Sequence, residues 1–133
     1  MTHPIVELQA SLVAALRADT TLSALAPVSD GPPAGAAPPY AVIARHDVLA
    51  HDGDTTPGNE HRVLVHAWAA DASRKAVLAI AERIVDVALA AALGSEALAV
   101  TLARHDRTDT AIDAATGRAR AAIALTFYSE PIS

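Results

Sequence analysis

Cysteine is absent from the chain, which removes a disulfide framework and all thiol chemistry. Aromatic side chains make up only 3% of the residues, so few large pieces are available to fill a core. Positive charge is sparse as well: ten Lys and Arg are scattered along a chain of net charge −5. A sequence-reading nucleic-acid binder normally shows a basic patch, and none occurs here. No uninterrupted apolar run approaches the ~18 residues of a membrane span. The N-terminus lacks a basic segment followed by an apolar one, so no signal peptide is expected. The glycine-rich phosphate loops GxxxxGK[ST] and GxGxxG, the metal patterns HExxH, CxxC and the EF-hand, and the GxSxG nucleophile setting are all missing. The expectation is a protein without cofactor and without a catalytic step.

What is present is apolar bulk. Of the 133 residues, 52% are hydrophobic, which excludes a disordered chain and suffices for one domain, residues 1–133, with its own core. Much of that content is alanine, so the core must combine Leu, Val, Ile and Ala with Trp68 and Phe127 as its large members. Alanine faces bury little area each, and self-association is expected to supply part of the stability.

One segment organises the rest. From Asp71 or Ser73, either able to cap a first turn, to Leu93, the residues Val77, Ile80, Ala81, Ile84, Val87, Ala88 and Ala91 recur at helical spacing. Lys75, Glu82, Arg83 and Asp86 fall on the opposite side. Gly94 stands where a left-handed C-cap would need a residue lacking Cβ. Strand-like segments precede and follow, so this helix reads as the lid of a sheet.

An N-terminal helix is expected from Pro4, with Ile5, Leu8, Leu12, Ala15 and Leu16 as its apolar stripe. Asp19-Thr20-Thr21 interrupts it and can cap a short second piece, Leu22 to Ala26, closed by Pro27. Residues 28–39, with Asp30-Gly31-Pro32-Pro33 and Ala37-Pro38-Pro39, read as a turn-rich surface crossing. Tyr40 to Leu49 is a strand, His51 to Glu60 a long polar hairpin loop, and His61 to Ala69 a second strand. In that strand Val63, Val65 and Ala67 share one face, and Arg62, Leu64, His66 and Trp68 the other. Apolar residues on both faces suggest contact with another subunit. After the helix, Ala97 to Ala103 alternates as a strand and the pattern fades from Arg104 to Thr110. Asp113 to Gly117 is a turn, and Arg118 to Tyr128 a last strand with Ala121, Ile123, Leu125 and Phe127 inward. The predicted class is α+β: a mainly antiparallel sheet of about four strands with an N-terminal helix and one long helix packed on it.

Six histidines raise the question of a metal. His46-Asp47, His51-Asp52-Gly53-Asp54, His61 and His66 surround the first hairpin. The tetrapeptide Ala-Arg-His-Asp at Ala44–Asp47 recurs at Ala103–Asp106, and both copies are expected to end a strand, where they could lie side by side. Neighbours in a strand point to opposite faces, so His46 and Asp47 cannot chelate one ion from a regular strand. Asp52 and Asp54 beside Gly53 suit a weak hard-cation contact. The simpler reading, which is preferred, makes all these residues surface or subunit-contact groups.

The order of these pieces resembles the tail-completion, or tail-terminator, proteins of long-tailed phages and gene transfer agents. The likeness rests on Leu12, Leu16 and Asp19, then Leu22 and Leu25; Pro39-Tyr40 leading an apolar strand; Asp52 and Asp54 in a loop; Gly58 and Glu60 before His66-Ala67-Trp68-Ala69; and Ser73, Ala76, Ile80, Ile84, Ala88 and Leu89 in the main helix. Ala69 stands where the family usually has serine. The resemblance implies a structural virion-type protein that forms a hexameric ring on the tail tube. Such a ring stops tube growth and joins the tube to the head-tail connector or stopper protein. The implied partners are further copies of the chain and the major tail tube protein, with DNA passing through the channel without specific binding and no membrane involved. The implied location is the cytoplasm during assembly and then the tail or neck of the particle. The family brings no catalytic residues, metal or cofactor. The loop residues His51, Asp52, Gly53, Asp54, Thr55, Thr56, Gly58 and Glu60 are candidate contacts to a subunit or the tail tube, with Arg45, Arg62 and Arg104 as contact charges. A small oligomeric binding or assembly-chaperone module is the alternative reading, and a metal-dependent hydrolase a more distant one.

Overall fold

The computed structural model describes residues 3–29, 31, 37–51 and 57–132. Helix α1 (Pro4–Ala18) starts as its sequence dictates. Pro4 occupies the first turn, where a missing N–H costs nothing, and the ring of His3 accepts a hydrogen bond from the Ile5 amide at 3.1 Å. Its buried face is Leu8, Leu12, Val13 and Leu16, while Ile5 and Ala15 of the expected stripe are only half-buried. Helix α2 (Thr20–Leu25) begins two residues earlier than its apolar residues suggest, because the Asp19 carboxylate caps it by accepting from the Leu22 amide at 2.8 Å.

The long helix α3 (Arg74–Ala90) buries Val77, Ile80, Ala81, Ile84 and Ala88, the expected face, with Val87 and Ala91 at its half-buried margin. Ser73 is the N-cap, accepting from the Ala76 amide at 3.0 Å. The C-terminus departs from expectation. The helix ends at Ala90, and the cap, Ala91, has extended dihedrals. Gly94 lies beyond the helix, at φ 142°, bridging to Ala99 and donating its amide to the Ser11 hydroxyl. Its glycine requirement is real but of another origin: a Cβ there would stand 2.8 Å from the Leu98 carbonyl oxygen.

Among the described residues, five strands form one sheet in the order β1-β2-β3-β5-β4: β1 (Val28–Ser29), β2 (Tyr40–Ala50), β3 (Asn59–Trp68), β4 (Leu98–Ile112) and β5 (Ala119–Pro131). The four long strands pair antiparallel, as expected. The fifth is new. Residues 28 and 29, read from sequence as part of a turn-rich crossing, pair parallel to Ala41 and Val42 and make the sheet mixed. Two residues are too short for periodicity to reveal.

Strand β4 also corrects the sequence reading. It does not fade after Ala103 but runs to Ile112. Its register against β5 shifts between Val100 and Leu102 and again between His105 and Arg107. Each bulge inserts one residue and reverses the inward–outward alternation, which is why a simple period of two disappears. At the hairpin between β4 and β5, Asp113 accepts from the Thr116 amide and hydroxyl, and Gly117 takes φ 70°, as the turn signal required.

All three helices lie on one face of the sheet. Beneath them Ile43, Val63, Val65, Ala121, Ile123, Leu125 and Phe127 are buried together with Leu8, Leu12, Leu16 and Ile84. Phe127 is wholly buried, and its removal from water contributes about 1.5–3 kcal/mol. Trp68, expected beside it, is half-buried and faces the other way, next to Arg120 and Ile112. The small side chains Ala67, Ala81, Ala88 and Ala121 let helix and sheet approach closely enough to close the core with few aromatics.

Candidate assembly surface

Among the described residues, the second face of the sheet carries no helix. Residues paired across antiparallel strands share a face, so the registers identify its members. Arg45, Asp47, Glu60, Arg62, Leu64, Arg104, Asp106, Ala124 and Thr126 line one shallow groove of about 550 Å³. An adjoining groove of about 500 Å³ is lined by Leu64, His66, Arg107, Asp109, Arg120, Ala122 and Ala124. The floor is small and apolar, and the walls are charged.

The charges are matched within strands. Arg45 Nε donates to Asp47 at 2.7 Å, Arg62 Nε to Glu60 at 2.8 Å, and Arg104 Nε to Asp106 at 2.8 Å. Arg107 pairs with Asp109, which Arg120 also approaches. Side chains two apart on a strand point the same way, so this spacing makes such pairs local and automatic. Five arginines meet four carboxylates here, so the open face is nearly neutral although the chain carries −5. The arginine partners hold the Glu60 and Asp109 carboxyls below their usual range. On Asp106 burial acts upward but is outweighed by hydrogen bonds from Thr126 and Arg104, and its carboxyl is lowered too. The three arginines singled out from sequence, Arg45, Arg62 and Arg104, thus come together on one face, each already holding a carboxylate of its own strand.

The two copies of Ala-Arg-His-Asp do not end strands, nor do they lie side by side. They occupy the interiors of β2 and β4, with β3 and β5 between them. Their side-chain directions nevertheless agree. A bulge at Ala44 and another at Asp106 adjust the phase, Arg and Asp pair on the open face, and the histidine lies on the helix side.

On that helix side His46 enters a buried polar chain. Its Nε2 is 2.9 Å from His61 Nδ1, and His61 Nε2 is 2.7 Å from the Ser129 hydroxyl. Burial, with smaller contributions from neighbouring charges, pushes both imidazoles down to about 4. His66 belongs to the opposite face and His105 bonds Thr108. Among the described residues, no three His, Asp or Glu side chains gather as a metal site.

Of the candidate contact loop, Asp52, Gly53, Asp54, Thr55 and Thr56 lie outside the described residues. Its roots are defined. The His51 amide donates to the Gly58 carbonyl at 2.9 Å. A Cβ on Gly58 would sit 2.6 Å from the His51 carbonyl oxygen, so only glycine permits this closure. The His51 ring stacks on Tyr128 at 4.8 Å. Glu60 is already within β3, opposite Tyr128, so the loop is shorter than the sequence suggested. Tyr128 was not anticipated: it stands opposite Glu60 on β3 and Leu102 on β4 while stacking on His51, linking the loop root to the charged face. Only the final strand's outward alternation could have pointed to it.

Residues 10–128 match the family model described as tail completion protein gp17. Among solved structures, a chain of the structure titled "Virion of native gene transfer agent (GTA) particle" superposes with a TM-score of 0.82 at 21% identity, covering 97% of this chain and 99% of that one. No curated protein matches by sequence.

Proposed function

The chain belongs to the tail completion protein gp17 family, a structural part of phage-type tails, and on that premise we propose that it forms a ring that ends the tail tube and joins it to the head-tail connector. The observation that carries this reading is a family match extending over residues 10–128. The ring, of six copies, would contact the major tail tube protein on one side and the connector or stopper protein on the other. DNA would pass through it without specific binding. The chain would act by shape and contact, with no chemical step. The nearly neutral open face fits such a part, because unmasked arginines would hold phosphates strongly. Two long strand edges without partners among the described residues also fit it, since such edges are ready templates for a neighbour. The loop between His51 and Gly58, with Asp52, Gly53, Asp54, Thr55 and Thr56, would choose the surface on which a neighbouring subunit or the tube docks, Arg45, Arg62 and Arg104 supplying the opposite charge. Virion membership of the structurally similar chain supports placement of this protein in a phage or gene transfer agent particle.

Negative-stain imaging with native mass spectrometry tests the reading. A closed ring that binds the end of purified tail tubes is the expected result. A dimer or monomer that ignores tube ends would instead favour a binding or assembly-chaperone module.

A further inference from the structure

The repeated tetrapeptide has a use that neither copy serves alone. Its two copies sit on the two outer long strands, β2 and β4. Among the described residues, each of those strands is covered on its outer side only near its beginning: β2 by β1 at Ala41 and Val42, β4 by Gly94 at Ala99. Among the described residues, Ala44 to Ala50 and Thr101 to Arg107 have no strand beyond them. Three successive antiparallel pairings separate β2 from β4, so the two outer strands run in opposite directions. Rotation of one copy about an axis along the strands therefore brings β4 of one against β2 of the next in antiparallel sense.

We infer that the two Ala-Arg-His-Asp segments pair with each other across the subunit boundary, β4 of one copy against β2 of the next, with His105 opposite His46. Antiparallel reading of a repeat places unlike charges together. Arg104 falls opposite Asp47 of the next copy, and Asp106 opposite its Arg45. All four side chains line the same face; Arg45 and Arg104 are well exposed in the single chain, and Asp47 and Asp106 are partly so. Opposite charges directly across an antiparallel pair stabilise it, and like charges oppose it. The same register places Leu102 opposite Leu49. These are two of the few large apolar side chains left exposed, at 43% and 41%, and both project from the open face beside Tyr128 and Glu60. The pairing ends where β1 covers β2 and where Gly94 covers β4, so the caps at opposite ends set its length. The contact joins two different patches of the chain, the kind of interface that closes into a ring by rotation. The occupant of each edge is thus a second copy of the chain. This inference rests on the ring reading above and specifies the ring's interface.

Paired charge swaps test it. Exchanging Arg45→Asp with Asp47→Arg keeps the internal ion pair and the net charge but sets like charges across the boundary. Exchanging Arg104→Asp with Asp106→Arg does the same from the other side. Each swap alone is expected to raise the midpoint concentration of assembly by about tenfold or more, measured by light scattering and native mass spectrometry. The fourfold variant carrying both swaps should assemble like the wild type. Leu102→Lys should weaken assembly without lowering the melting temperature of the free subunit, since that side chain lies outside the core. Far-ultraviolet circular dichroism verifies folding of each variant. A wild-type ring left unchanged by either single swap and by Leu102→Lys overturns the inference and spares the ring reading. Failure of the fourfold variant to recover also overturns it. A wild-type chain that never oligomerises overturns both.

Discussion

Asp19 and Arg83 are 64 residues apart in sequence and form a two-point ion pair, Nε to Oδ2 at 2.8 Å and Nη2 to Oδ1 at 2.6 Å. The same carboxylate caps α2. One side chain thus starts the second helix and ties the junction of α1 and α2 to α3. The pair and the cap together hold the Asp19 carboxyl down at about 2. Between that value and the ordinary 3.8, the unfolded chain binds the proton and the folded chain does not. Stability from Asp19 is therefore complete above pH 4 and declines as pH falls toward 2. Asp19→Ala is expected to lower the melting temperature more than Asp19→Asn, which retains a capping oxygen. Both variants should flatten the melting curve's dependence on pH below 4. An unchanged dependence in both would separate Asp19 from the acid response.

The histidine chain predicts a second, higher window. His46 and His61 are held near 4 in the fold against 6.5 in the free side chain. Across that interval the unfolded chain takes up protons that the folded one refuses. Stability is full above pH 6.5 and is lost progressively as pH falls to 4. The physical cause is burial of His61 in a 2.9 Å contact with another imidazole, where one proton can be shared but two charges cannot. Denaturant melts at pH 7, 6 and 5 should show this decline in the wild type. In His61→Gln it should shrink while ring assembly at pH 7 persists. Equal slopes in the two proteins would refute the assignment.

Core and surface positions of α3 should respond oppositely. Ile84 is wholly buried between sheet and helices. Ile84→Ala is expected to cost about 2–5 kcal/mol, and Ile84→Asp to abolish folding, because an unpaired charge has no partner there. Glu82 is exposed at the rim of a groove beside His105, and Glu82→Ala should stay within about 0.5 kcal/mol. Chemical denaturation of purified variants provides the measurement. An Ile84→Asp protein melting like the wild type would invalidate the packing described.

Hydrogen exchange addresses the contact loop. Amides between His51 and Gly58 are expected to exchange quickly in the free subunit and slowly in assembled tails, whereas Glu60 and His61, inside the β3 ladder, should be protected in both. Equal protection of the loop in the two states would make it an ordinary surface turn.

The sequence alone determined the elements with strong local signals. The buried stripes of α1 and α3, the Asp19 cap, the narrowing of the α3 cap to Asp71 or Ser73, the inward alternation of Ala121, Ile123, Leu125 and Phe127, and the turn at Gly117 all arise from contacts within a few residues. Side-chain periodicity and short-range hydrogen bonding record such contacts directly. The order of those elements was also enough to indicate the family. Tertiary structure decided the rest. Two bulges reversed the alternation of β4 and hid its length. A two-residue β1 exists only because the β2 edge offers it a ladder. Gly94 was glycine for a close approach to Leu98, not for a helix cap. The gathering of Arg45, Arg62 and Arg104 on one face, and the separation of His66 from His46 and His61, depend on strand order and register. Those are properties of pairings between residues as far apart as Asn59 and Ser129, and no local pattern in the chain encodes them.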